Sequence, residues 1–122
     1  MTERLSIALR ARRRDGPVRT EEILGPLGLE IRLAAVTGDQ TLSSARLELS
    51  QGLGPEESIR RVTRWLTDHR FEAFEVMRSN GLELDLEIIA HGGRLAFRIP
   101  VELLTACSRR ELPISVISPS QG

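Results

Sequence analysis

The sequence predicts an α+β fold: a single largely antiparallel sheet with helices on one face, in a ferredoxin-like β-α-β-β-α-β-β-α-β arrangement. Three observations support this prediction. Several short segments alternate apolar and polar residues, which is the two-residue period of a half-buried strand. Other segments have the apolar spacing and the end signals of helices. The 122 residues suffice for one core, so we expect a single domain spanning 1–122.

The first strand and the first helix are predicted near the N-terminus. Apolar residues alternate with polar or small ones from 5 to 12, as in a strand with one buried face. Thr20 is a suitable N-cap, and Glu21 and Glu22 lie in the first turn behind it, where the helix dipole favours acids. Pro26 cannot lie deep inside a helix, so we expect this helix to be short or to break there.

Two strands and the longest helix are predicted in the middle of the chain. The segments 29–33 and 45–49 alternate like the first strand, and a polar loop separates them. Pro55, followed by two glutamates, opens the helix. The apolar stripe of this helix changes phase around His69, which predicts a kink or a second short helix. The apolar residues of that second helix are Phe71, Phe74 and Met77.

The most regular stretch of the sequence predicts a hairpin. Leucine and isoleucine alternate with acids from 82 to 88, and apolar residues alternate with arginine or alanine from 94 to 99. A short turn containing Gly92 separates the two segments, so we expect them to pair as antiparallel strands. The register that keeps all apolar residues on one face places Leu86 opposite Phe97.

A helix and an edge strand are predicted at the C-terminus. The helix follows Pro100 and runs from about 101 to 110, and the strand includes Ile114 and Val116. Pro113 at the start of the strand is typical of a sheet edge. The residues of the helix that we expect to face the core are Val101, Leu104 and Cys107.

Composition and charge exclude several classes of function. The 17 basic and 17 acidic residues give a formal net charge of +0, which argues against bulk binding to nucleic acid or to an anionic membrane. The single cysteine, Cys107, cannot form an internal disulfide and fits a reducing compartment. No stretch approaches the roughly 20 apolar residues of a membrane span, and the N-terminus lacks a signal-peptide core. We therefore expect a cytoplasmic protein with neither a membrane nor a nucleic-acid partner.

Several short motifs resemble a known bacterial family. They are GLELDL at 81–86, the glycine pair at 92–93, FRIPVELL at 97–104, LPISV at 112–116 and TEEILGPLG at 20–28. Together they resemble the family known as domain of unknown function 4279, mainly over the C-terminal half of the chain. That family has no established chemistry to transfer. Its resemblance to small immunity-type proteins, which bind and neutralise toxins, implies a toxin-like or regulatory protein partner.

The sequence contains no recognisable catalytic or metal-binding constellation. Cys107 lies on the expected apolar stripe of its helix, which is typical of an inert structural thiol. Asp68 and His69 are adjacent, so on a helix they point in different directions and do not form a dyad. His69 and His91 lack the spaced cysteine or carboxylate partners of a metal site. We expect no catalytic residue, no metal and no cofactor.

The polar face of the predicted sheet is the candidate binding surface. Arginines and carboxylates alternate along its strands, and the predicted hairpin places Asp85 opposite Arg98. Such a face either lies in water or docks a protein partner, because arginine and carboxylate groups give specificity. The candidate binding residues on this face and in the adjoining turn are Arg32, Glu83, Asp85, His91, Arg94 and Arg98.

These observations favour a non-enzymatic binding domain, of immunity type or regulatory, that binds another protein. The alternative is a small-molecule-sensing ferredoxin-like domain, with its ligand at a sheet edge or at a dimer interface. The open edge of the last strand is a pairing template, which would allow a homodimer.

Overall fold

In the computed structural model, the described residues are 4–28, 36–37, 44–69, 71–91 and 98–117. Within them the chain forms one sheet and a layer of helices. The elements in chain order are β1 (Arg4–Arg13), α1 (Thr20–Leu27), β2 (Val36–Thr37), β3 (Ser44–Leu53), α2 (Pro55–Asp68), α3 (Phe71–Ser79), β4 (Leu82–His91), α4 (Val101–Arg109) and β5 (Ile114–Ile117).

The sheet has the order β2-β3-β1-β4-β5. β1 lies at its centre and pairs antiparallel with both β3 and β4, and β2 pairs antiparallel with β3. Among the described strands, β4 and β5 alone pair in parallel, and α4 connects them. The prediction of an α+β fold with one largely antiparallel sheet is confirmed, whereas the ferredoxin-like strand order is not. β5 lies at the sheet edge, as its leading proline indicated.

The predicted hairpin is wrong. Leu86 pairs with Leu9 of β1 on one side and with Ile114 of β5 on the other, so neither edge of β4 is left there for Phe97. Residues 94–97 of the predicted strand lie outside the described residues, and 98–99 belong to no strand. The predicted strand 29–33 also lies outside the described residues. β1 and β5, rather than the segment that directly follows β4, are its neighbours in the sheet.

The core lies between one face of the sheet and the four described helices. The antiparallel registers place Leu9 opposite both Leu47 and Leu86, so apolar residues of three strands share that face. Each helix adds buried side chains to the same cluster, which confirms that the helices cover one face. These side chains include Ile23 and Leu24 of α1, Ile59, Val62 and Leu66 of α2, Phe74 and Met77 of α3, and Leu103 and Cys107 of α4.

The ends of α1 differ from the prediction. Arg19 is the N-cap rather than Thr20, and its backbone N–H donates to the Glu22 carboxylate at 3.1 Å. The N–H of Glu22, which a hydroxyl cap would satisfy, donates instead to the carbonyl oxygen of Arg19 at 3.0 Å, so the helix needs no hydroxyl cap. The helix continues through Pro26 and ends at Leu27, before Gly28 in the left-handed conformation (φ 69°). At 8 residues it is short, as the proline indicated.

The remaining helices confirm two predictions and correct two others. α2 begins at Pro55, and the predicted change of helix near His69 occurs between α2 and α3. Phe71, however, is 47% exposed. In α4, Val101 and Leu104 are exposed, whereas Leu103, Ala106 and Cys107 are buried. The stripe of α4 that faces the core therefore contains Leu103 and Ala106, rather than Val101 and Leu104 as predicted.

Candidate functional site

The outer face of the sheet, opposite the helices, carries a charged cluster between β1 and β4. The register places Arg10 opposite Asp85. Arg10 Nε donates to Asp85 Oδ1 at 2.9 Å, and Arg10 Nη2 donates to Oδ2. Ser115 of β5 donates its hydroxyl to the same carboxylate at 3.1 Å. Asp85 is only 7% exposed, so its carboxylate is both buried and fully engaged.

Glu87 lies two residues further along β4, between two arginines. Its Oε2 is 3.2 Å from Arg10 Nη1, and its Oε1 is 2.8 Å from Arg46 Nη2. Arg46 is also 3.7 Å from Glu48. The hydrogen bond to Asp85 is the main reason why the pKa of Arg10 is raised, and the charge of Glu87 adds to it. We call Arg10, Arg46, Asp85 and Glu87 the charged cluster.

Both carboxylates of the charged cluster are engaged by arginine. The carboxylate of Asp85 accepts hydrogen bonds from Arg10, and that of Glu87 forms ion pairs with Arg10 and Arg46. Glu87 is 4% exposed, which corrects the expectation that the middle of this face is solvated. One donor, the buried Nε of Arg46, has no hydrogen-bond partner in the part of the chain that the structure describes.

The structure brings only some of the predicted binding residues together. Glu83, Asp85 and His91 share the outer face of β4. Glu83 is exposed and 3.9 Å from Arg12, and His91 is exposed with its Nε2 2.9 Å from the hydroxyl of Ser6. Arg98 lies elsewhere, in a groove beside α2, so it does not pair with Asp85 as predicted. Arg32 and Arg94 lie outside the described residues.

The candidate catalytic side chains occupy structural positions. Cys107 is buried, and burial raises the pKa of its thiol to about 11, so it is protonated and unreactive at neutral pH. His69 Nδ1 lies 2.8 Å from the carbonyl oxygen of Trp65, and its ring lies 4.3 Å from the ring of Trp65. Among the residues that were placed, no group of three histidine, cysteine, aspartate or glutamate side chains could hold a metal ion.

A groove with a volume of about 1300 Å³ runs along α2 on the helix side of the molecule. One wall is a single face of α2, on which the lining residues recur at helical spacing. The other wall consists of residues just before α4 and in its first turn. The charged and apolar residues that line the groove include Glu56, Ile59, Arg60 and Arg64 of α2, with Arg98, Pro100 and Glu102 opposite. Ile59 is buried, so the floor is apolar while the walls are charged.

A second cavity, of about 390 Å³, continues this groove. The two share Thr67 and Glu102. The second cavity adds Phe71 of α3 and Val101 of α4, which are 47% and 72% exposed. We call the two cavities together the α2–α4 groove. Sequence reasoning missed it because Val101 was expected to face the core and Phe71 was grouped with the apolar residues of the second helix.

The sequence offers little that could have revealed this groove. In α4, the stripe containing Val101, Leu104 and Cys107 and the stripe containing Leu103, Ala106 and Cys107 are both compatible with a helical repeat. The second stripe is the one that ends at Arg110, whose side chain is held by backbone carbonyl groups of two helices. That tertiary contact has no sequence signal.

No protein family model matches this chain, and the comparisons with curated proteins and with solved structures found no similar protein. The resemblance to the domain of unknown function 4279 family therefore stays a prediction. None of the described helices has both the length and the apolar character that a membrane span requires.

Proposed function

We propose that this protein is a cytoplasmic, non-enzymatic binding domain, of immunity type or regulatory, whose α2–α4 groove receives part of another protein. One observation carries the proposal: Phe71 and Val101, both substantially exposed, lie together in a concave surface that also contains arginines. The paired carboxylates of the charged cluster and the buried thiol of Cys107 support a binding role over a catalytic one.

The composition of the groove fits a protein interface. Single exposed apolar residues are normal on any surface, so Val101 alone would mean little. Aromatic residues and arginine are enriched at protein interfaces, and binding energy concentrates on apolar anchors in concave sites. Phe71, Val101 and the neighbouring arginines provide that combination in one continuous groove.

Three other proposals can be made, and two of them use surfaces outside the groove. The smaller cavity has the size of a small-molecule site, which favours the sensing alternative. Glu83 and His91 are exposed on the outer face of the sheet, and a partner could also dock there. A homodimer would use β5, because it is the edge strand of the sheet.

The experiment that tests the proposed function is a comparative capture from cell lysate. The baits are the wild-type protein, a groove variant with Phe71→Ser and Val101→Ser, and an outer-face control, Glu83→Arg. Both groove positions are exposed, so the double variant is expected to remain folded. We expect a protein that is retained stoichiometrically by the wild type and the control, and lost from the groove variant.

Each other outcome points to one of the alternatives. A partner lost only from Glu83→Arg would move the interface to the outer face of the sheet. Recovery of the bait alone would contradict the proposal, and light scattering would then show whether the bait is a dimer. A rise in melting temperature with a small molecule, through its binding to the folded state, would support the sensing alternative.

A further inference from the structure

We infer that the segment bound in the α2–α4 groove is an acidic amphipathic stretch of polypeptide. This inference rests on the proposed function and adds the chemistry of the partner. It depends on the charges of the groove walls, the orientation of two helices and the apolar floor.

Three arginines and three glutamates line the larger cavity, and these arginines form no ion pair with a described carboxylate. Arg60 and Arg64 project from α2, one helical turn apart, and Arg98 projects from the opposite wall. None of the three lies within 4.0 Å of a carboxylate in the described part of the chain. By contrast, Glu57 is 3.9 Å from Arg61, so one of the acids that line the groove already has a cationic partner.

Two helix N-termini open onto the same groove. Gly54 is the N-cap of the 14-residue α2, Pro100 is the N-cap of the 9-residue α4, and both line the groove. Neither N-cap residue provides a side-chain hydrogen bond to its helix, so the first-turn N–H groups of both helices lack this cap. Their partial positive charge adds to that of the arginines, and the first-turn acids Glu56 and Glu102 offset part of it.

The apolar residues of the groove define the rest of the partner. Ile59 lies on the floor between the charged walls, and Phe71 and Val101 extend the apolar surface into the second cavity. Along α2, the lining residues extend from Glu56 to Thr67, which corresponds to roughly 17 Å of helix. A partner helix of similar length, with apolar residues on one side and carboxylates on its flanks, fits these dimensions and charges.

A nucleic acid fits the groove less well than a polypeptide. Glu56, Glu57 and Glu102 would lie against a continuous phosphate backbone and repel it, whereas a peptide can place its carboxylates only where the arginines are. The apolar floor also matches side chains rather than phosphates. The formal net charge of +0 provides no long-range attraction to nucleic acid.

A random library of displayed 16-residue peptides tests the inference, because the groove itself then selects the sequences that it binds. Peptides are selected on the full-length wild-type protein, and their affinities are then measured for three variants. Arg60→Glu with Arg64→Glu reverses the charge of one wall, and Phe71→Ser with Val101→Ser removes apolar anchors. Arg12→Glu with Arg14→Glu is the matched control, because it reverses two exposed arginines outside the groove lining.

We expect the selected peptides to carry an excess of aspartate and glutamate next to apolar residues. Their binding should weaken about tenfold or more for Arg60→Glu with Arg64→Glu, and much less for Arg12→Glu with Arg14→Glu. Their affinity should also fall as the salt concentration rises. Peptides with no acidic excess that nevertheless require Phe71 and Val101 would overturn this inference and leave the proposed function standing. If no selected peptide depends on any groove residue, both are wrong.

Discussion

Arg13 connects three parts of the chain at the end of β1. Its Nη1 donates to the carbonyl oxygen of Pro17 at 2.8 Å and to Glu22 Oε1 at 2.9 Å. Its Nη2 donates to Glu22 Oε2 and, at 2.8 Å, to the carbonyl oxygen of Asn80, which follows α3. One guanidinium group therefore fixes the loop after β1, the start of α1 and the end of α3. The planar fork of arginine suits this bidentate arrangement, and lysine would not reproduce it.

The ion pair between Arg13 and Glu22 predicts a pH dependence of stability. The hydrogen bond from Arg13 is the main cause that lowers the pKa of Glu22 in the folded state, and the N–H of Arg19 contributes. A carboxyl group with a lowered folded pKa stabilises the protein above its unfolded pKa, about 4.3 for glutamate, and this stabilisation is lost as pH falls through the folded pKa. Glu22→Gln is therefore expected to lower the free energy of unfolding by about 1 kcal/mol at pH 7, and the difference from wild type should shrink below about pH 4.

Chemical denaturation of both proteins between pH 3 and pH 7 measures this effect. Glu21→Gln is the control, because Glu21 is an exposed acid in the same helical turn and makes no ion pair with a described residue. If Glu21→Gln lowers the free energy of unfolding as much as Glu22→Gln does, the helix dipole alone accounts for the effect. A difference that stays constant down to pH 3 would contradict the role assigned to the Glu22 charge.

At the level of secondary-structure elements, the orientation of α4 decides whether the groove exists. Leu103 is 0% exposed and Leu104 is 46% exposed, although the two residues are adjacent and chemically identical. Leu103→Ala should therefore lower the free energy of unfolding by about 2–5 kcal/mol, because it leaves a cavity in the core. Leu104→Ala should cost less than about 1 kcal/mol. Urea denaturation of the two variants measures the difference, and each serves as the control for the other. An equal or larger loss at Leu104 would show that α4 is rotated and that Val101 faces the core.

Most helices and strands could be predicted from local sequence patterns, but the pairing of the strands could not. The alternation in β1, Pro55 at the start of α2 and the phase change near His69 are local signals, and each predicted its element. The pairing of β4 is different, because β1, which flanks it, lies about 80 positions earlier in the chain. A short turn predicts a hairpin partner with a small loop-closure cost, but β1 and β5 occupy the two edges of β4 at Leu86. The exposure of Phe71 and Val101 likewise depends on how helices meet, so the candidate groove could not be predicted.

At the scale of the whole molecule, β1 and Arg110 hold distant parts of the chain together. β1 lies between β3 and β4, so the first strand of the chain is the centre of the sheet. In the helix layer, Arg110 makes a comparable connection at the C-terminal ends of α2 and α4. Arg110 Nη2 and Nε donate to the carbonyl oxygen of His69, the C-cap of α2, at 3.1 and 3.3 Å. Its Nη1 donates to the carbonyl oxygen of Ala106 in α4 at 2.9 Å.

The buried charge of Arg110 is stabilised by helix ends rather than by a described carboxylate. The carbonyl ends of α2 and α4 carry partial negative charge, which favours a cation at this position. Burial lowers the pKa of Arg110, but arginine stays charged at any ordinary pH. Arg78 of α3 adds to the connection, because it donates to the carbonyl oxygens of Arg110 and Glu111. Arg110 therefore connects the C-terminal ends of the two helices that form the groove.

Arg110→Met is expected to lower the free energy of unfolding by about 1–3 kcal/mol, because the carbonyl groups of His69 and Ala106 lose their donors. It should also weaken any ligand of the α2–α4 groove, since α2 and α4 are no longer held at a fixed separation. Arg109→Met is the matched control for stability: it removes an exposed arginine from the same helical turn and should cost less than about 0.5 kcal/mol. Urea denaturation gives the stabilities, and hydrogen exchange should show faster opening at the C-terminal ends of α2 and α4 in Arg110→Met alone. Equal stability and equal exchange in the two variants would show that packing of the apolar core, without Arg110, fixes the helix layer.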